Sequence, residues 1–107
     1  MRLTLALLFA AATCTAQQSL DTTKLISRIG FGSCNSQDNP QLIWETISKD
    51  KPELFILLGD NIYGDTKDMK ELQRKYDLFG SKPTYQNFKK DCPVIATWDD
   101  HDYGAND

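Results

Sequence analysis

Four aspartates, Asp99, Asp100, Asp102 and Asp107, fall between positions 99 and 107, and the only histidine, His101, stands among them. No Lys or Arg in that stretch offsets their charge. Two further short segments carry groups of the same kind: Gly59-Asp60-Asn61-Ile62-Tyr63-Gly64-Asp65, and Gly32-Ser33-Cys34-Asn35. Carboxylates packed together repel one another unless a cation lies between them, so a metal site is the economical reading of this set. Carboxylate oxygens, one imidazole, a phenol and a thiolate suit a hard or borderline ion, which leaves iron, manganese, calcium and zinc open. The competing reading is a solvated acidic turn. An EF-hand does not fit, because Asp65-Thr66-Lys67-Asp68 lacks the ligand spacing and the glycine of that loop.

These segments can act together only if the fold brings them to one place, and the intervening pattern predicts that it does. Residues 25–31 read as a strand ending in the Gly32-Ser33-Cys34 turn. Asn39 as a cap and Pro40 at the first position open a helix to Lys49, with Leu42, Ile43 and Ile47 as its apolar stripe. The run 54–58, all apolar, has the length and composition of a strand buried on both faces of a parallel sheet, and it stops abruptly at Gly59. Asp65 or Thr66 can cap a second helix with Met69, Leu72, Tyr76 and Phe79 on one face. A short helix over 84–90 and a third strand over 93–98 complete the pattern. Strand, helix, strand, two helices, strand is the alternation of an α/β fold: right-handed crossovers, parallel strands and flanking helices. Ligands of open α/β sheets bind beyond the carboxyl ends of the strands, and all three chemically loaded segments fall there.

Cys34 and Cys92 invite a disulfide, the default in an exported protein. The predicted topology argues otherwise. Cys34 closes the first strand and Cys92 opens the third, so parallel strands of about 5–6 residues hold them roughly 17–20 Å apart. A disulfide needs Cα atoms within about 7 Å. Cys34 is then a free thiol on the rim and Cys92 a small buried hydrophobe. A thiol hydrolase with Cys34 as nucleophile and His101 as base is the alternative chemistry, although it gives the surplus carboxylates no task.

The chain has 107 residues, 40% hydrophobic and 25% charged, which describes one ordinary globular domain with a thin core. Arg2, the apolar run 3–12 and the small residues Cys14-Thr15-Ala16 form a secretory signal pattern over 1–16, leaving a domain over 17–107 and an exported or periplasmic product. The apolar run falls short of the roughly 20 residues of a membrane span. Lipidation at Cys14 is the alternative, with Thr13 a poor neighbour for it. A net charge of −3, with Lys89-Lys90 the notable basic pair, argues against nucleic acid as a stable partner.

Phe31-Gly32-Ser33-Cys34, Leu58-Gly59-Asp60-Asn61-Ile62-Tyr63-Gly64-Asp65 and Ala96-Thr97-Trp98-Asp99-Asp100-His101-Asp102 together resemble three successive signature blocks of the PhoD-like alkaline phosphatases, a group of metallophosphoesterases. Purple acid phosphatases share the Gly-Asp-Asn-x-Tyr element, but they place Asp where this chain has Cys34. The resemblance implies part of a metallophosphoesterase sandwich and a metal-dependent phosphoric ester hydrolase acting on monoesters or diesters. It implies Asp60 as the residue bridging two ions, Cys34 and Tyr63 on a ferric ion with calcium nearby, and Asp100 as a further ligand. His101 would contact the phosphate or the leaving-group oxygen, and Asp99, Asp65 and Asn106 are additional candidates. Members of that family continue past the third block with more histidine and aspartate ligands. The resemblance therefore implies the first part of such a domain, inactive by itself; a non-catalytic exported metal-binding protein is the alternative.

Overall fold

The computed structural model describes residues 17–105, so the signal segment, Cys14, Asn106 and Asp107 lie outside the described residues. The elements run β1 (Ile29–Gly32), α1 (Ile43–Lys49), β2 (Leu54–Leu57), α2 (Met69–Gly80), α3 (Pro83–Asp91), β3 (Val94–Ala96) and α4 (Asp100–Tyr103). The strands form one parallel sheet in the order β1-β2-β3. An α/β fold with a parallel sheet and flanking helices is thus what the alternation of the sequence builds. Among the described residues no helix is long and apolar enough to cross a membrane.

The core lies on one face of the sheet. Phe55, Leu57 and Val94 meet Trp44 of α1, Phe79 of α2, and Tyr85 and Phe88 of α3. Trp44 is the hub: its ring stands edge-on to Phe55 at 5.3 Å and stacks with Phe88 at 5.2 Å. Its indole N–H donates to Gln41 Oε1 at 2.8 Å, which lets a large ring with one polar atom be buried at no hydrogen-bond cost. Cys92 is buried against the same cluster, and burial pushes its thiol up to about 11, the behaviour of a packing residue rather than a reactive one.

Several local expectations are corrected. The helix expected from Pro40 begins at Ile43, because Gln41 is in a left-handed conformation (φ 64°) and interrupts it. The shift turns Leu42 and Ile43 outward and puts Trp44 toward the sheet, with Ile47 packed beside the core. The cap of α2 is Asp68, whose side chain accepts from the Lys70 amide at 2.9 Å; Asp65 is drawn away to His101 and Thr66 Oγ1 accepts from the Asp68 amide. The first strand starts at Ile29 rather than residue 25, and Leu25 is exposed. The third is confined to Val94–Ala96. The 54–58 run is buried at Leu54, Phe55 and Leu57 and partly buried at Ile56, as expected of a central strand, whereas Leu58 and the flanking strands are open on one side. Phe31, Ile56 and Ile95 align across the three strands on the face away from the helices, and Phe31 is 71% exposed.

Candidate metal centre

Each strand delivers one loaded turn to the same rim, and the turns are tied together by main chain. The Cys34 amide donates to the Gly59 carbonyl (3.4 Å) and the Asn35 amide to the Asp60 carbonyl (2.8 Å), which seats the first turn on the second. The Gly64 amide donates to the His101 carbonyl at 2.8 Å, which seats the second on the third. Gly59 cannot be replaced cheaply: its φ is +105°, and a Cβ there would stand 2.7 Å from Asp99 Cβ. Close approach of backbone to backbone is what brings β2's turn against α4.

Among the described residues, three of the five non-glycine residues with positive φ are Cys34 (57°), Asp60 (50°) and Asp65 (46°), all on this rim. A left-handed backbone at such residues costs on the order of 1–3 kcal/mol and persists only where the surroundings impose it. Its effect here is to converge side chains. Cys34 Sγ lies 3.5 Å from Asp60 Oδ2. One ligand atom each from Asp60, Asp100 and His101 lie within 4.8 Å of one another, a spacing that one ion could bridge.

The charge balance of the cluster points the same way. Asp60 Oδ1 is buried and has no hydrogen-bond partner among the described residues. A buried carboxylate oxygen without a donor is costly unless a cation serves it. His101 Nδ1 contacts Asp65 Oδ1 at 2.5 Å, which leaves Nε2 as the nitrogen free for an ion or a substrate oxygen. That carboxylate–imidazole pair is the arrangement that orients histidines toward metals. Asp65 also raises the His101 pKa through this contact, with burial opposing and Asp100 and Asp60 reinforcing. Tyr63 stacks at a tilt against His101, 4.6 Å between ring centres. Burial raises its hydroxyl pKa, and its hydrogen bond with Cys34 and the negative charge of Asp60 and Asp65 add to the effect.

The rim therefore gathers Cys34, Asp60, Tyr63, Asp65, Asp100 and His101. Asp99 has a different occupation: it caps α4, its carboxylate accepting from the Asp100 amide at 3.0 Å in a reciprocal pair with Asp102. Asn106 lies outside the described residues. The thiol-hydrolase arrangement asks for Cys34 paired with His101, whereas Cys34 has Ser33, Asp60 and Tyr63 beside it and His101 has Asp65.

Comparison with known proteins finds no match. Neither a family model, nor a curated protein, nor a solved structure corresponds to this chain.

Residue reading overlooked three participants. Gln37, 1% exposed, accepts from the Tyr63 amide and donates to the Tyr63 carbonyl, pinning that residue's backbone. Lys75 of α2 donates to the Tyr63 and Gly64 carbonyls, so this cation is spent on main chain rather than on the carboxylates. Asp102 is buried beneath the rim. Only the last had a visible signal, the Asp99-x-x-Asp102 spacing of a reciprocal helix cap.

A cavity of about 510 Å³ lies at the other end of the strands, lined by Leu20, Lys24, Arg28, Lys51 and Phe88 among others; no rim residue borders it. A smaller one of about 340 Å³ adjoins the rim between Cys34 and Trp44.

Proposed function

We propose that this rim binds one or more metal ions and that the chain carries the metal-binding part of a phosphoric ester hydrolase of the PhoD-like kind. One set of observations carries the metal reading: Asp60, Asp100 and His101 each bring a ligand atom within 4.8 Å of the others, and Asp60 has a buried oxygen with no donor among the described residues. The choice of phosphate esters, and the sandwich fold of the metallophosphoesterases, rest on the resemblance of the three sequence blocks.

The residues present fit such a centre. Asp60 would be a residue that holds the ion: its Oδ1 has no donor among the described residues and its Oδ2 lies next to Cys34. Cys34 and Tyr63 lie side by side as soft and hard donors, a combination that suits iron, and Asp100 adds a carboxylate. Asp65 engages Nδ1 of His101, which leaves Nε2 as the nitrogen that could meet a phosphoryl or leaving-group oxygen. When bound, the ion supplies positive charge against the phosphoryl oxygens and a lowered pKa for attacking water.

Two measurements test this. Isothermal titration of the chain with Mn²⁺ gives a saturable heat that Asp60→Ala abolishes. In a protein that joins this chain to the further histidine and aspartate ligands the resemblance implies, hydrolysis of p-nitrophenyl or bis-p-nitrophenyl phosphate requires the ion and stops with a chelator. Ion binding without hydrolysis leaves the non-catalytic metal-binding protein as the account; hydrolysis that survives both chelation and Asp60→Ala removes the metal mechanism.

A further inference from the structure

Asp60 and the Asp100–His101 pair come from turns about forty residues apart in sequence, yet an ion would need their oxygens and nitrogen placed to within a few tenths of an ångström. Something must set the distance between the two turns. The buried carboxylate of Asp102, 1% exposed, touches both. Its Oδ1 accepts from the amides of Asn61 (2.8 Å) and Ile62 (3.1 Å), the two residues directly after Asp60. Its Oδ2 accepts from the amide of Asp99 (2.9 Å), the residue that precedes Asp100, and from Asn61 Nδ2 (3.4 Å). A single side chain thus receives main-chain donors from both ligand-bearing turns. Its own position is held from outside the rim: the Tyr76 hydroxyl, on α2, donates to the Asp102 carbonyl at 2.9 Å.

We infer that Asp102 is the positioning residue of the centre, a clamp that holds Asp60 in register with Asp100 and His101 without itself meeting the ion. This rests on the metal reading above. Both carboxylate oxygens of Asp102 are taken up by main-chain amides, so it acts through the turns it joins. Tyr76 extends the clamp to α2, tying the geometry of the rim to the helix layer that packs on the sheet.

Asp102→Asn in the full chain tests the clamp. The amide keeps an oxygen for Asn61 and Ile62 but puts an amino group where the Asp99 amide donates, so the link to the third turn breaks. Expected are amide exchange at Asp99 at least tenfold faster, unchanged exchange at Phe55 and Leu57 in β2, and Mn²⁺ affinity at least tenfold weaker by calorimetry. Val94→Ala, a core substitution remote from the rim, lowers the unfolding midpoint and leaves Mn²⁺ affinity unaltered, which separates positioning from general stability. Should Asp102→Asn fail to fold, Tyr76→Phe removes only the outer tie and is expected to weaken Mn²⁺ several-fold. Wild-type affinity in Asp102→Asn with the Asp99 amide released, or in Tyr76→Phe where that variant stands in, overturns the clamp alone. A wild-type chain that takes up no Mn²⁺ overturns the metal reading and the clamp with it.

Discussion

Strand β2 carries a carboxylate at each end, and the two are served very differently. Glu53, just before it, is surrounded by donors: one oxygen accepts from the Ser27 amide (2.7 Å), the Ser27 hydroxyl (3.0 Å) and the Arg28 amide (3.2 Å). Those bonds, the Ser27 and Arg28 amides foremost, pull its pKa down to about 2. Asp60, just after the strand, has one oxygen buried with no donor among the described residues and the other against a thiol, on a left-handed backbone. The first end is a finished piece of structure in which the protein supplies three donors to one carboxylate oxygen. The second gathers negative groups and withholds the donors that would settle them, including Lys75, which turns to carbonyls instead. Surroundings that impose strain and leave charge unserved are what a binding site requires and a purely structural turn does not.

This contrast can be broken at either end. The largest effect expected is at the unserved one: Asp60→Ala lowers Mn²⁺ affinity at least a hundredfold in calorimetry while thermal unfolding of the ion-free chain stays close to wild type, because the buried Oδ1 loses no hydrogen bond and Oδ2 loses only the weak one from the Cys34 thiol. A clear fall in ion-free stability would mean that Asp60 is structural, as Glu53 is. Next comes the support beneath both ends. Trp44→Ala removes the hub of the aromatic cluster and costs about 3–5 kcal/mol in urea unfolding.

Gly59→Ala ranks third, at roughly 1–3 kcal/mol, since an L-residue at φ +105° is strained and its Cβ meets Asp99. Its signature is combined: lower stability together with weaker Mn²⁺ binding, because the clash pushes the second and third turns apart. A loss of stability with unchanged binding would show that the close approach serves packing only.

The smallest effect is at the served end. The folded pKa of Glu53 is depressed, so its contribution is present above the ordinary value of 4.5 and is lost as pH falls toward about 2. Glu53→Gln should therefore exchange the Ser27 and Arg28 amides faster than wild type at pH 6, with the difference closing as pH drops through that window. A difference independent of pH would remove the charge from the explanation.

The residue pattern carried the α/β alternation and the parallel sheet, because apolar runs that end at Gly32 and Gly59 mark where each strand stops and which turn begins there. Cys34, Asp60, Tyr63, Asp65, Asp100 and His101 stood out as candidates for the same reason: each follows the end of a strand, in a turn or, for Asp100 and His101, in α4. Helix phase was less legible. One left-handed residue, Gln41, rotates the apolar stripe expected of Leu42 and Ile43 into solvent and hands the core to Trp44, and nothing in a periodicity count reveals a backbone conformation. The cap spacing of Asp102 with Asp99 was visible, but its reach to the second turn was hidden by distance, since its partners at Asn61 and Ile62 are 41 and 40 residues away. The exposure of Phe31 and Ile95 beside the buried β2 was not legible, because an apolar run records that a strand is hydrophobic, not what lies against each side.

The central claim is that the rim is built around an ion. Its most direct test is a crystal of the chain grown with Mn²⁺ and measured for anomalous scattering. The account predicts a peak roughly 2–2.5 Å from Asp60 Oδ1 with Asp100 and His101 in the same coordination sphere. A chain that crystallises with Mn²⁺ and shows the rim carboxylates hydrated, with no peak among Asp60, Asp100 and His101, would contradict it.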